Sequence, residues 1–224
     1  VNEDTIDDQS IPSSVASNGE GKFMIAWQSP DSDLGSQGIH ARLYAQDGTS
    51  LTGDVVVNTF TENDQHDPAV IATDDGRFVV AWTSENQGGE QGDLYARQFD
   101  AVGAPIGDEF QLNTLTVEDQ WDVNLATQGN TGFVALWASD AGHGGIQGRR
   151  FGFVEDPADA APTRLDPRLQ ANQFGIPMQA DPVTVRNAAG DYVVVWEEAL
   201  RDETFDRGVY AQLFDADGNP LTAE

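Results

Sequence analysis

The stretch Asn58–Trp82 reads NTFTENDQHDPAVIATDDGRFVVAW, and Asn113–Trp137 reads NTLTVEDQWDVNLATQGNTGFVALW. The second repeats the polar entrance of the first, its Asp-Gln pair and its apolar run closing on tryptophan. The same marks frame the whole chain. Asn2, Asn58, Asn113 and Asn172 are followed, seven residues on, by Gln9, Gln65, Gln120 and Gln179, and then by Trp27, Trp82, Trp137 and Trp196. The tryptophans are 55, 55 and 59 residues apart, which divides the chain into repeats over 1–56, 57–111, 112–170 and 171–224. A fixed period of this size marks a repeat architecture in which one supersecondary unit recurs.

Each repeat reads as four strands. GKFMIAWQS, GRFVVAWTS, TGFVALWAS and GDYVVVWEE are four versions of one segment. Phe78, Val80 and Trp82 share one face at period two, while Val79 and Ala81 make the other face apolar as well. A strand apolar on both faces is covered from both sides. A shorter apolar piece precedes it, as in PAVIA or SSVAS, and a third strand follows, as in LYARQFD or VYAQLFD. Turns such as AQDGTS and DADGNP come next; Asp-Gly favours hairpins because glycine accepts positive φ without steric cost. A fourth strand closes the unit, as in PIGDEFQLN.

The expected fold is therefore all-β, a single repeat domain forming a β-propeller of four repeats with four antiparallel strands per blade. A β-sandwich or β-solenoid is the alternative, but a sandwich leaves one face of most strands polar. The closing LTAE and the opening VNEDT together would rebuild one fourth strand, which is the expectation for a ring closed by its N-terminal segment. A portion of a larger ring is equally open. Because the chain starts at Val1, it is read as a processed chain or a piece of something longer. The third repeat departs most, with the insert VEDPADAAPTR and its prolines Pro157 and Pro162.

Charge narrows the partners. There are 38 acidic residues against 11 basic ones, a formal net charge of −27, and no cysteine. Such a surface repels nucleic acid and anionic lipid. It attracts cations, and Ca²⁺ is the natural partner of clustered carboxylates and carbonyls. No apolar run is long enough to suggest a membrane-inserted helix.

The repeats GDYVVVWEE and GVYAQLFDADGNPLT, and the second repeat throughout, resemble those of very large, calcium-dependent, type I secreted bacterial proteins of the haemolysin and adhesin kinds. The resemblance covers nearly the whole chain, weakly in the third repeat. It implies a β-propeller-like fold, an extracellular or cell-surface location and a Ca²⁺-dependent protein. It carries no catalytic residues.

Several groups are candidates for chemistry. The recurring Asp-Gln pairs, Asp64-Gln65 and Asp119-Gln120 among them, sit ahead of the first strand on one rim. Asp64 and Asp119 are read as ligand contacts; the competing reading makes the glutamines bridges between blades, since a carboxamide both donates and accepts. Asp215, Asp217 and Asn219 resemble the opening of a Ca²⁺ loop, although the closing glutamate is absent and an Asp-Gly hairpin explains them with nothing extra. Trp121 and Phe205 are candidate aromatic platforms for a glycan among polar loops. The four periodic tryptophans belong to the core. His40, His66 and His143 have no metal-ligand spacing.

The expected function is a non-catalytic extracellular module that binds or displays, with a glycan or a protein as ligand and Ca²⁺ as a structural ion. A carbohydrate-acting hydrolase or lyase on the same scaffold, and a structural subunit packing on neighbouring domains or subunits, are the alternatives.

Overall fold

The computed structural model describes residues 10–30, 36–89, 91–140, 144–153, 161–165, 169–172, 179–199 and 207–221. The first repeat forms β1 (Ser10–Ser17), β2 (Phe23–Pro30), β3 (Gln37–Tyr44) and β4 (Val55–Val56). The second forms β5 (Gln65–Ala72), β6 (Phe78–Glu85), β7 (Gly92–Phe99) and β8 (Pro105–Gln111). The third forms β9 (Gln120–Thr127), β10 (Gly132–Ser139), β11 (Gly145–Gly152) and β12 (Leu169–Gln170). The fourth forms β13 (Gln179–Arg186), β14 (Tyr192–Ala199) and β15 (Arg207–Phe214). Each repeat is one antiparallel sheet with its strands in sequence order, so the protein is all-β and built from four meanders.

Local chemistry explains the meanders. In β6 the register pairs Trp82 with Tyr95 and Phe78 with Phe99, so aromatic side chains face each other across strands. Hairpins are closed by a side-chain device. Asp100 Oδ1 accepts the amides of Val102 and Ala104 at 3.0 and 2.8 Å, and Asn18 and Asn187 repeat the pattern. The glycine that completes such a turn takes positive φ, as Gly103 does at 82°.

The sheets pack in chain order, with the first strands β1, β5, β9 and β13 lying side by side. Three apolar clusters sit between them. Met24, Ala26, Ile39, Ala41 and Leu43 of the first sheet pack on Val70, Phe78, Val80, Trp82 and Phe99 of the second. The opposite face of the second sheet, through Val79, Ala81, Leu94 and Ala96, packs on Leu125, Phe133, Trp137 and Phe151. Val134, Leu136 and Ile146 then pack on Tyr192, Val194, Trp196 and Phe214. The four repeat tryptophans are all buried, as their place in the strands requires.

One device ties each sheet to the next repeat. Asn58 Oδ1 accepts the Ile39 amide at 2.8 Å, Asn113 accepts from Leu94 at 2.9 Å, and Asn172 from Ile146 at 3.1 Å. The asparagine that opens a repeat thus finishes the third strand of the repeat before it. Gly145 makes room for this, since a Cβ there would run into the Asn172 carboxamide. The fourth sheet departs from expectation. β14 was to be covered on both faces, yet Val193 and Val195 are only half-buried, because no sheet packs on that side among the described residues.

Candidate active site

The first strand of every sheet slips in register. The pairing shifts between Ser10 and Ser13, between His66 and Ala69, opposite Leu136–Ala138, and between Ala180 and Val183. At the last three slips stands an aspartate two residues after the repeat glutamine: Asp67, Asp122 and Asp181, with φ of 53°, 54° and 52°. Aspartate tolerates this left-handed region better than most residues, but the conformation still costs energy. A bulge re-aims the side chain it carries. Since β5, β9 and β13 are neighbours, the three aspartates form a row along one rim. Asp122 Oδ2 accepts the Asp181 amide at 3.3 Å, linking two members directly. Ile11 stands two residues after Gln9 in the first repeat, so the row is three long, not four.

Charge distinguishes the members. Burial, chiefly, and the neighbouring Asp181 and Asp67 charges push the Asp122 carboxyl above its ordinary range; the Asp181 amide and His66 oppose the shift. His66 lies between two acids, with Nδ1 2.7 Å from Asp67 and Nε2 3.0 Å from Glu85. The Asp67 hydrogen bond is the largest influence on it, and with Glu85 it outweighs burial to raise the imidazole to about 9. At neutral pH, His66 is therefore an imidazolium donating from both nitrogens. The row then holds a half-buried carboxyl whose pKa burial raises, Asp122, an acid hydrogen-bonded to a cationic imidazole, Asp67, and an exposed acid, Asp181. A carboxyl shifted in this way beside other acids suits proton transfer.

Trp121 immediately precedes Asp122 and is half-buried. It packs against the cluster containing Tyr210 and Trp196 of the fourth sheet, so it flanks the row without forming an open platform. Asp64 accepts the Gln37 amide at 2.9 Å and Asp119 the Gly92 amide at 3.2 Å. Both reach back to the start of the preceding sheet's third strand, a role in joining repeats. Gln179 also reaches back, accepting from Ile146 at 3.2 Å, whereas Gln120 accepts from Trp137 in its own sheet at 2.9 Å. Phe205, Asp8, Gln9, and His143 lie outside the described residues, as does most of the third-repeat insert.

The Asp215, Asp217 and Asn219 set forms the same hairpin device as Asp100. Asp215 Oδ1 accepts the Asp217 and Asn219 amides at 2.9 and 2.8 Å, and its Oδ2 accepts from Asn219 Nδ2 at 2.9 Å. Led by the Asn219 side-chain bond, these contacts hold the Asp215 carboxyl below its ordinary range. The Asp215 oxygens are thus engaged within the turn, while the exposed Asp217 carboxylate lies 3.6 Å from Arg150 Nη1. Among the described residues no three His, Asp or Glu side chains are grouped to hold a metal. Asp217 and Asn219 instead border a cavity of ≈ 350 Å³ between the third and fourth sheets, with Arg149, Arg150, Tyr192 and Gln212. That cavity opens at the Tyr192 end of β14, whereas Ala180 beside Asp181 pairs with Glu197 near the other end. The two places are roughly 15–20 Å apart along the strand, and of the two it is the row of aspartates that brings acids together with a shifted carboxyl among the described residues.

Comparison with known proteins identifies the scaffold. No protein-family profile matches the chain, and no curated protein matches it. Solved structures do. A thermostable family-43 glycoside hydrolase shares 12% identity over 90% of this chain and 72% of its own, with a TM-score of 0.55. The catalytic domain of a Coprinopsis cinerea GH62 α-L-arabinofuranosidase shares 9% over 99% of this chain and 70% of its own, also at 0.55. A Dyadobacter fermentans protein of unknown function reaches 0.57, at 10% identity over 86% of this chain and 50% of its own. The fold is thus of the kind found in β-propeller glycoside hydrolases. The expectation of a non-catalytic binding or display module is corrected here: solved structures that share this fold include glycoside hydrolases, which favours the carbohydrate-acting alternative. Asp67, Asp122 and Asp181 were visible in the sequence as QHD, QWD and QAD, but the preceding Asp-Gln pairs drew the functional reading instead.

Proposed function

We propose that the four sheets are the blades of a four-repeat β-propeller and that the protein is a carbohydrate-acting hydrolase working at the rim where Asp67, Asp122 and Asp181 stand. The observation that carries this is Asp122, a half-buried carboxyl with a raised pKa between two aspartates on equivalent bulges. In this reading Asp122 is the general acid. It gives its proton to the oxygen leaving the anomeric carbon as the glycosidic bond breaks. Asp181, exposed on the same rim, takes a proton from water as the water oxygen bonds to that carbon; the two-carboxylate scheme requires no other group. Asp67 is committed to His66, and the pair maintains charge beside the row. Trp121 would border the sugar as one wall.

The glycoside hydrolases among the solved structures support this reading, and the arabinofuranosidase makes arabinose-bearing polysaccharides the first substrates to try. The test is release of reducing sugar from a panel of polysaccharides by the wild type and by Asp122→Asn. Removing a general acid is expected to lower turnover by about 10²–10⁴-fold, with an unchanged circular dichroism spectrum. Wild-type activity should also fall as pH rises through the Asp122 pKa. No release from any member of the panel would overturn the reading.

The resemblance to secreted repeat proteins supports an extracellular location, with Ca²⁺ neutralising the acidic surface rather than entering the Asp215 hairpin. Unfolding midpoints in Ca²⁺ and in Mg²⁺ at equal ionic strength are then expected to agree. A rise specific to Ca²⁺ would mean a dedicated site elsewhere.

A further inference from the structure

The interface between the third and fourth sheets is hollower than the one before it. Between the second and third sheets, Phe110, Leu112 and Phe153 are all buried in the shared core. Register identifies their counterparts one repeat on. Phe110 pairs with Ala96 as Leu169 pairs with Gly148. The Leu112 amide donates to the Leu94 carbonyl as the Ala171 amide donates to that of Ile146. Phe153 stands two residues after Phe151, as Ala216 stands two after Phe214. Three bulky side chains thus give way to leucine, alanine and alanine. Leu136, in the place of Ala81, adds bulk beside Gly148 but does not line the space that results. That space is the cavity of ≈ 350 Å³ bordered by Leu169, Ala171 and the Asp215 hairpin, whereas interiors otherwise pack closely.

The same place gains polar groups. Tyr192 stands where the other repeats have Phe23, Phe78 and Phe133. Arg150 pairs with Val134, where the first repeat pairs Leu43 with Met24 and the fourth Leu213 with Val193; the second has Gln98. These groups converge. A Cβ built on Gly218 would lie 3.4 Å from Tyr192 Oη, 3.5 Å from Leu169 Cδ1 and 4.0 Å from Arg150 Nε. Arg150 Nη1 donates to the Ala216 carbonyl and lies 3.6 Å from the exposed Asp217 carboxylate. The carboxamides of Gln170 and Asn219 border the same space, over an apolar floor of Val134 and Phe214. A mostly apolar hollow with a few placed polar groups is the usual form of a small-molecule site.

We propose that this cavity binds an uncharged sugar ring. Charge and polarity select the class. An anion would meet Asp217 and the field of a chain whose net charge is −27. A cation would meet Arg150. A purely apolar molecule would cover Arg150, Asp217 and two carboxamides without replacing their water. A sugar matches all of them: its hydroxyls accept from the guanidinium and the carboxamides and donate to the carboxylate, while its C–H face rests on the apolar floor. The proposal does not rest on the hydrolase reading, since the cavity and the row of aspartates lie at opposite ends of β14.

The test is saturation-transfer NMR of L-arabinose, D-xylose, D-galactose and D-glucose, each as its methyl glycoside, with sodium glucuronate as the charged control. Two variants probe the cavity. Leu169→Phe restores the bulk that Phe110 supplies one repeat earlier, and Arg150→Leu installs the residue that the first and fourth repeats carry there. Circular dichroism checks that each is folded, and either alone suffices. Wild type is expected to bind at least one neutral glycoside saturably and more tightly than glucuronate, and each folded variant to bind it at least about tenfold more weakly. No saturable binding of any neutral glycoside overturns the proposal. So does binding that survives both substitutions, which would put the sugar elsewhere, the row of aspartates included. Tighter binding of glucuronate than of every neutral glycoside overturns it too, because the ligand would then be an anion.

Discussion

The second and fourth sheets have nearly the same sequence pattern and opposite surroundings. Leu94 in β7 and Val209 in β15 occupy equivalent positions, yet one is wholly buried and the other is the most exposed large aliphatic residue described. Trp82 and Trp196 are buried alike, because each faces the sheet before it. What differs is the sheet that should come after. Apolar patterning specifies which surfaces lose free energy by being covered; the neighbour decides whether they are.

That difference gives the largest predicted effect. Leu94→Ala removes buried methyl groups from a fully packed interface and is expected to cost about 2–5 kcal/mol. Val209→Ala, in a monomer, is expected to change stability by less than about 0.5 kcal/mol. Denaturant unfolding of both variants at low protein concentration measures the gap. Equal costs would mean that the face of the fourth sheet is covered in solution by the protein itself.

The junctions between sheets give a smaller effect. Asn113 accepts from the Leu94 amide and donates to the Leu115 carbonyl at 2.7 Å, so it satisfies buried groups in two repeats. Asn113→Ala leaves the Leu94 amide without this partner and is expected to cost about 1–3 kcal/mol. Asn172→Ala, at the junction with the fourth sheet, should cost a similar amount, since that contact is made whether or not the sheet's far face is covered. A negligible cost at Asn172 alone would show that the last sheet is held by its apolar contacts only.

Much of this fold was legible because repetition turns weak signals into strong ones. One Phe-x-aliphatic-x-Trp run is an ambiguous apolar strand; four in register fix the sheets, the core tryptophans and the Asp-Gly hairpins. The opening asparagines were equally visible as a count, but not their work of finishing the preceding sheet, which depends on a neighbour in space. The site was legible only as letters. QHD, QWD and QAD recur, yet nothing in those letters announces a left-handed aspartate on a bulge, or that burial raises one carboxyl while an imidazolium holds another. The hairpin at Asp215 shows the converse. Its oxygen-rich letters suggested an ion, while the letters do not tell that Asp215 Oδ1 accepts two amides of its own turn.

His66 in the second repeat stands where the fourth has Ala180, and pH separates the two. The His66 pKa is raised in the folded protein, so the stability it contributes is complete below about 6.5 and is lost as pH rises through about 9. The contribution is expected to be about 1–2 kcal/mol, well below full linkage, because the Asp67 and Glu85 side chains are 38% and 36% exposed and screened by water. Unfolding free energy of the wild type should therefore decline between pH 6.5 and 9, and His66→Gln should flatten that decline. An unchanged slope in the variant would locate the pH dependence elsewhere on the acidic surface.

The smallest predicted change in stability is also the sharpest, because it separates function from fold within the row of aspartates. Asp122 has a raised pKa, so its ionised form is disfavoured in the folded state and opposes folding at neutral pH. Asparagine removes that charge and keeps an oxygen able to accept the Asp181 amide. Asp122→Asn is therefore expected to unfold at the wild-type midpoint or slightly above it at pH 7, with the difference shrinking as pH falls towards the Asp122 pKa. Hydrolysis should be lost in the same protein. A variant that melts several degrees lower would make Asp122 a structural tie like Asp64 and Asp119. A more stable, inactive variant is the pattern expected of a residue kept for chemistry at some expense to the fold.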